Sequence, residues 1–470
     1  MIEPDQIRDT ESFRDSISTV DAEGKRKWVY PKKPKGKFTT ARGWVSLFLL
    51  IFLFGAPFVK IDGQPLLLFN LIERKFVILG NTFWPQDFYI FGLGMIVFVV
   101  FIALFTVVYG RLFCGWVCPQ TIFMENVFRR VEYFIEGDWK QQMKLNRDPW
   151  NKKKIFKKTS KHIIFFAISF IIANTFLAYI IGIDELIDII TSPFTEHVGG
   201  LAAITVFSGV FYGVFAFMRE QVCTTVCPYG RLQGVMLDRQ SIVVAYDRFR
   251  GEPRGKFRKN EDREEAGKGD CIECMQCVNV CPTGIDIRNG TQLECVNCTA
   301  CIDACDEMME AVDLPTGLIR YTSEEQITTR KPFRLSTRAK AYTVLLFVLV
   351  GVMVTLLVTR SAVELNILRT PGMLYQSNED GSISNLYNFK AINKTNNELT
   401  LNFVPVEEGV KIKMVGQDPE LGEQESAEGA FFISAPESAF KLGKTFVHLK
   451  IYDGNGKLID KIEVRITGPL

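Results

Sequence analysis

The chemistry open to this chain rests on its 12 cysteines, which follow two different spacings. The first is Cys271-x2-Cys274-x2-Cys277-x3-Cys281-Pro282, repeated as Cys295-x2-Cys298-x2-Cys301-x3-Cys305. Loops this short let three thiolates cap one face of an iron–sulfur cubane, while the fourth cysteine reaches a second cubane. The pattern assigns Cys271, Cys274, Cys277 and Cys305 to one [4Fe–4S] cluster, and Cys295, Cys298, Cys301 and Cys281 to the other. Zinc is the competing reading. Four-cysteine zinc sites usually pair two Cys-x2-Cys hooks across a longer spacer, so two complete four-cysteine runs fit iron–sulfur better. Residue 306 is Asp where the first run has Pro, an irregularity that bears on the surroundings of that cluster and not on its ligand count.

The second spacing is Cys114-Gly-Trp-Val-Cys118-Pro119, matched by Cys223-Thr-Thr-Val-Cys227-Pro228. Residues at i and i+4 share a helical face. Proline is excluded from helix interiors but suits the first helical position. The expectation is a break at Cys118 and at Cys227, with a helix starting at each proline. A thiol at such a helix N-terminus is expected to have a lowered pKa. Four thiolates would suit Cu(I), zinc or iron. Either pair alone is also what a small buried residue at a helix end looks like. Two matching pairs beside a ferredoxin run favour a metal or redox role. Met218 is an additional soft-ligand candidate, with packing as its ordinary alternative. His162, His197 and His448 are the chain's histidines, and their positions argue against a bis-histidine haem.

These cysteines need elements to position them. Hydrophobic residues make up 47% of the chain, with 38 Phe, and gather in long runs between highly charged segments. That is the profile of a polytopic membrane protein with soluble parts; a basic nucleic-acid binder fits less well, because the Lys/Arg clusters flank apolar runs. Five runs approach the roughly 20 residues a bilayer requires: 44–59, 89–110, 163–183, 199–218 and 341–359. Segment 65–80 is apolar but interrupted by Glu73, Arg74 and Lys75, and is expected to be an external hairpin or surface helix. No cleaved signal peptide is expected. Lys25, Arg26, Lys27, Lys32, Lys33, Lys35 and Lys37 precede the first run, and Arg129, Arg130 and Lys152-Lys153-Lys154 come after the second. Asp184, Glu185, Asp188 and Glu196 occupy 184–198 without a Lys or Arg. Positive residues favour the cytoplasm, so the N-terminus and all the cysteines are expected there and the C-terminal tail outside. Reducing conditions on that side argue against disulfides.

The two Cys-x3-Cys-Pro elements each end a pair of crossings on the same face. This reads as a parallel internal repeat that brings the pairs together at its axis. Apolar Phe123, Val127, Val131 and Phe134 or Ile135 alternate with charged residues after Pro119, as expected of a helix in the membrane interface or packed on another soluble element. Residues 362–470 alternate apolar and polar positions, with Asp453-Gly-Asn-Gly-Lys as a hairpin turn. About seven short strands suggest a cysteine-free immunoglobulin-like sandwich for binding or scaffolding. The expected division is an N-terminal arm (1–42), a four-helix membrane domain (43–240), a ferredoxin domain of α+β type (241–330), a fifth transmembrane helix (331–361) and an all-β sandwich (362–470).

Tyr109-Gly-Arg-Leu-Phe-Cys-Gly-Trp-Val-Cys-Pro-Gln, Ala245-Tyr-Asp-Arg-Phe-Arg-Gly-Glu-Pro-Arg-Gly-Lys, Gly269-Asp-Cys-Ile-Glu-Cys-Met-Gln-Cys-Val, Cys281-Pro-Thr-Gly-Ile-Asp-Ile-Arg and Pro315-Thr-Gly-Leu-Ile-Arg-Tyr together resemble the FixG/RdxA/CcoG family over nearly the whole chain. The Cys-x3-Cys-Pro element alone is shared with membrane ferredoxins of the NapH and NosR type. The resemblance implies an inner-membrane oxidoreductase that reduces Cu(II) to Cu(I) for the copper site of cbb-type cytochrome c oxidase. Cys114, Cys118, Cys223 and Cys227 then become copper-binding and reducing thiols, and the eight ferredoxin cysteines an electron supply. Implied partners are the membrane, copper, oxidase assembly factors or a copper carrier, and an electron-donor protein or small reductant, with no nucleic acid. Two other readings compete: a membrane electron conduit with a third iron–sulfur centre at the paired cysteines, and a non-enzymatic assembly scaffold.

Overall fold

The computed structural model describes residues 19–469 except 21–22, 24, 62, 72–74, 84–86, 194, 260, 360, 362, 373, 379–380, 396, 417–419, 423–424, 441–442 and 455. Glu73, Arg74, Asn455 and the first 18 residues of the N-terminal arm therefore lie outside the described residues. The chain forms two compact units: Met1–Phe58 with Leu93–Val350, and Val59–Gly92 with Gly351–Leu470.

Five helices are long and apolar enough to span a bilayer: α1 (Lys37–Phe58), α2 (Phe88–Tyr109), α3 (Lys152–Ile181), α4 (Val198–Met218) and α5 (Thr337–Val358). A helix satisfies its own backbone, the condition for crossing hydrocarbon. The apolar stretch of α5 has no buried share at all, as suits a helix hydrophobic all round and facing lipid. α3 starts 11 residues ahead of the apolar run that announced it, with Asn151 accepting from the Lys154 N–H at 2.8 Å as N-cap. Lysine is a good helix former, and Lys158 and Lys161 each pair with Glu136 at 2.9 Å, so the helix runs on through its basic turn.

The segment after Pro119 differs from an interfacial helix. It begins as α-helix at Pro119–Thr121, widens into a π-helical stretch at Ile122–Phe128 and returns to α-helix at Arg129–Ile135. A π-turn adds a residue and rotates the helix beyond it. The apolar period read from sequence therefore slips: Phe134 is 91% exposed, while Phe128, Arg129 and Glu132 are buried. Phe128 stacks on Phe215 (4.5 Å between centroids) and meets Phe165 edge-on (4.8 Å). The segment is packed among the membrane-length helices, against Phe165 of α3 and Phe215 of α4, which corrects both the interfacial expectation and its alternative of a soluble partner.

In the same unit, strands Val243–Tyr246 and Ile319–Thr322 pair antiparallel, and with helices Gln276–Asn279 and Ala300–Ala311 they enclose the ferredoxin core. This lobe caps α1 directly. Asp303 accepts from the backbone N–H of Phe38 (3.0 Å) and of Thr39 (2.7 Å) and from the Thr39 hydroxyl (2.6 Å). A carboxylate at a helix N-terminus satisfies orphan donors and the helix dipole together. Gly36, at φ 143°, permits the approach, because a Cβ there would collide with the Asp303 side chain.

In the second unit, Leu67–Asn70, Lys75–Ile78 and Asn81–Phe83 form a three-stranded antiparallel sheet, so the hairpin alternative describes segment 65–80. Residues from 363 onward form the sandwich. One sheet runs Lys411–Val415, Ser426–Pro436, Ser382–Asn393, Val363–Arg369, and the other Asn402–Pro405, Lys444–Tyr452, Leu458–Thr467. Phe389, Phe431, Ile433, Leu449 and Ile451 fill the space between them. Lys394 is buried between Asp87 and Glu364, 2.7 Å from each, which fastens the end of segment 59–92 to the sandwich.

Candidate metal centres

Two cavities in the ferredoxin lobe are walled by cysteine. One of about 340 Å³ is lined by Cys271, Cys274, Cys277 and Cys305. Another is lined by Cys281, Cys295, Cys298 and Cys301, and by Cys277 as well. The backbone around them is unusual in a chemically pointed way. Glu273 and Met275, flanking Cys274, and Asn297 and Thr299, flanking Cys298, all have positive φ (53°, 58°, 53° and 63°). Alternation with left-handed residues turns successive N–H groups to one side, forming the concavity that suits anionic iron–sulfur cages. Burial pushes Cys277 and Cys295 up to about 12 and Cys281 to about 11. As free thiols these groups are neutral, and a bound metal deprotonates them outright. Donor chemistry and backbone both fit [4Fe–4S] clusters.

The paired cysteines converge into a separate seam. Cys114 lies in the short helix Leu112–Trp116, and Cys118 is the N-cap of the helix beginning at Pro119. Cys223 sits in the π-turn Val222–Val226, and Cys227 is the N-cap of Pro228–Met236. Both prolines thus open helices. Each of the four thiols lies near enough to the other three for their charges to interact. Among the described residues, however, no three His, Cys, Asp or Glu close tightly enough to hold one metal ion.

Helix placement does not lower the thiol pKa at Cys118, which corrects that expectation. Burial raises it, and opposing N–H groups of Thr121 and Gln120 do not overcome the effect. Burial likewise pushes Cys114 up to about 11 and Cys223 to about 12. Burial withdraws the thiolate from water, and that cost outweighs what the N–H groups at the helix start return.

The seam touches the second cage. Cys114 and Cys223 pack in one cluster with Val296, Cys298 and Cys301. Gly115 is pressed against the loop between Cys295 and Cys298; a Cβ there would lie 2.5 Å from the Val296 carbonyl oxygen and 2.6 Å from that of Asn297. Trp116 Nε1 donates to the Tyr321 hydroxyl at 3.0 Å, and that hydroxyl donates to the Asn297 carbonyl at 3.3 Å. Arg111 joins the two halves, donating to the Gly230 carbonyl at 2.5 Å and to the carbonyl of Leu293.

Beneath Cys223 lies a buried ion network. Arg219, at φ 54°, donates twice to Glu132 (2.7 and 3.3 Å), Lys161 lies 3.5 Å from Glu132, and Arg26 pairs with Glu220 at 2.9 Å. The cations of Arg219 and Arg26 also lie over the Trp28 ring, at 4.8 and 4.4 Å. Charge run and spacing announce none of this, because its members come from four separate segments. Met218 is 37% exposed. Met124, which no sequence motif singles out, is buried and lines a cavity of about 320 Å³ with Cys223, Glu125 and Glu220.

Five membrane-length helices, iron–sulfur cages and an all-β domain define a membrane-bound iron–sulfur oxidoreductase. Residues 218–324 match the family model of a 4Fe-4S dicluster domain, 91–140 that of a 4Fe-4S binding domain, and 353–469 that of the IG-like fold at the C-terminal of FixG, putative oxidoreductase. Protein RdxA of Cereibacter sphaeroides is 34% identical over 91% of this chain and 90% of its own length. Protein RdxB of the same organism is 36% identical over 79% of this chain and 80% of its own length, and nitrogen fixation protein FixG of Rhizobium meliloti 32% over 80% and 79%. The chain belongs to the FixG/RdxA family.

Proposed function

We propose that this protein reduces Cu(II) to Cu(I) at Cys114, Cys118, Cys223 and Cys227, supplying the copper site of a cbb-type cytochrome c oxidase. The observation that carries the reading is the shared packing of Cys114 and Cys223 with Cys298 and Cys301. It sets soft, copper-preferring thiols against the wall of an electron-carrying cage. The cages of Cys271, Cys274, Cys277 and Cys305, and of Cys281, Cys295, Cys298 and Cys301, would hold [4Fe–4S] clusters, which supply electrons one at a time. Cu(II) takes one electron to become Cu(I), and thiolates favour the product. Arg111 and Gly115 hold the seam to the cluster loop, and the Glu132–Arg219 pair fixes the turn that carries Cys223. A protein or small reductant replenishes the electrons. The same reading places the N-terminus and ferredoxin lobe in the cytoplasm and the sandwich in the periplasm, with domains divided at 42, 240, 330 and 361.

A second reading has its own support. The family model of a 4Fe-4S binding domain covers Cys114 and Cys118, and the four thiols do not close around a single ion. Both would suit a third iron–sulfur centre in a membrane electron conduit. Cu(II) turnover separates the two. The quadruple Cys114→Ser, Cys118→Ser, Cys223→Ser, Cys227→Ser chain should lose copper reduction while keeping both clusters; full retained activity would sink the copper reading.

A further inference from the structure

Arg42 and Arg111 are buried arginines, 4% and 5% exposed, that reach the second cage from two separate segments. Arg42, in the second turn of α1, donates to the Cys298 carbonyl at 2.7 Å. Arg111 donates to the carbonyl of Leu293, just ahead of Cys295, and its charge bears on the Cys295 thiol. Among the described residues neither guanidinium has a carboxylate partner, and Nε of each is buried without a hydrogen bond. Asp303, on the helix that carries Cys301 and Cys305, has both oxygens taken by Phe38 and Thr39. Buried charges are normally paired, because burial without a counter-charge is strongly unfavourable.

The first cage is surrounded differently. Arg288, which lines it, is already paired with Asp286 at 2.6 Å. Arg263 donates to the Cys271 carbonyl at 3.1 Å but is partly exposed, so water and salt screen it. The Asp306 carboxylate accepts from the Gly317 N–H at 2.8 Å and lies close enough to Cys305 for its charge to act on that thiol. This aspartate stands where the first cysteine run has proline. One cage thus meets two unpaired buried cations, and the other a carboxylate and a compensated pair. Charge around an iron–sulfur cluster sets its potential, and positive neighbours make it easier to reduce.

We propose that Arg42 and Arg111 are the counter-charges of the cluster held by Cys281, Cys295, Cys298 and Cys301, and that they set its potential above that of its neighbour. This rests on the cages holding [4Fe–4S] clusters and not on what the seam binds. It gives the electron path a direction. Cys277 lines both cavities, so the cages adjoin. The second cage, not the first, packs with Cys114 and Cys223. An electron passing from the first cage to the second leaves one cluster oxidised and the other reduced by one electron, with no bond broken and no proton moved. The two arginines make that step downhill, toward the wall that the seam touches.

The test is an anaerobic redox titration of full-length protein, with the reduced clusters followed by electron paramagnetic resonance. The wild type should show two midpoint potentials. Arg42→Gln should lower the higher one, making reduction about tenfold or more less favourable, a fall of about 59 mV or more, and leave the lower one unchanged. Arg111→Gln should act in the same direction. Asp306→Asn should raise the lower potential alone, which identifies the two waves independently. Arg42→Lys keeps the charge and should keep the wild-type values. Coincident wild-type potentials, unchanged potentials in Arg42→Gln, or an equal fall in Arg42→Lys would overturn the proposal. Should the Arg42 variants fail to fold, a rise of the higher potential in Asp306→Asn overturns it instead. A wild-type chain without iron–sulfur signals would overturn the cage reading and the proposal with it, whereas intact clusters with unshifted potentials overturn the proposal alone.

Discussion

The cages and the seam both gather four cysteines, but they are built by different means. In the cages, loops a few residues long carry neighbouring sulfurs, and left-handed residues at 273, 275, 297 and 299 set each loop's curvature. Local sequence does nearly all the work there. In the seam, Cys114 and Cys118 must meet Cys223 and Cys227 from a segment distant in sequence, so tertiary structure does it. Helix starts at Pro119 and Pro228, the Arg111 bridge and the ion network beneath Cys223 take the place of a loop. The difference teaches where each centre is vulnerable: the cages to loss of a ligand, the seam to loss of a support distant in sequence.

That contrast can be broken most forcefully at Glu132. Burial favours its neutral form, but Arg219, Lys161 and Arg129 outweigh that and hold its pKa below the usual carboxylate value. Glu132→Gln leaves buried cations uncompensated, which costs about 3–5 kcal/mol. Thermal unfolding should show the loss, together with disordered seam thiols that react faster with alkylating reagents, while cage cysteines stay protected. Acid should act through the same carboxylate. A depressed carboxylate pKa contributes stability above its unfolded value of about 4.3, lost as pH falls through the lower folded value. The acid transition of the wild type should therefore be steeper than that of Glu132→Gln.

Gly115→Ala acts where the seam meets the cluster loop. Its Cβ would overlap two backbone carbonyls of the cluster loop. Displacement of this kind costs on the order of 100-fold in rate. Copper reduction should slow markedly while iron content and cluster absorbance stay at wild-type levels; an unaffected rate would remove this contact from the account. The smallest effect is expected at Asp303, which caps α1 from the ferredoxin lobe. Asp303→Ala should cost about 1–2 kcal/mol, read as a lower unfolding temperature with both clusters retained.

The same contrast explains what the sequence could disclose. The eight cage cysteines, the five spans and the proline-started helices were legible because short-range spacing and composition determine them. The pKa direction at Cys118 was not, since burial by segments distant in sequence outweighs the N–H groups at the helix start. The π stretch at Ile122–Phe128 hid the inward turn of Arg129 and Glu132, because periodicity is read at one fixed number of residues per turn and that stretch departs from it. Gln233 and Met124 carried no motif at all. Only their burial beside Cys114 and Cys223 singles them out. The pairing of segment 59–92 with the sandwich unit was equally silent, resting on contacts such as Lys394 with Asp87.

On the proposed function, the seam handles copper and the cages alone hold iron. Counting iron and acid-labile sulfide in anaerobically purified wild-type protein and in the quadruple seam Cys→Ser variant tests it most directly. About eight irons per chain are expected in both, from two four-iron clusters, with Cu(II) reduction lost only in the variant. Clearly more than about eight irons in the wild type, falling to that number when the seam cysteines are replaced, would contradict it and place a third iron–sulfur centre between those four sulfurs.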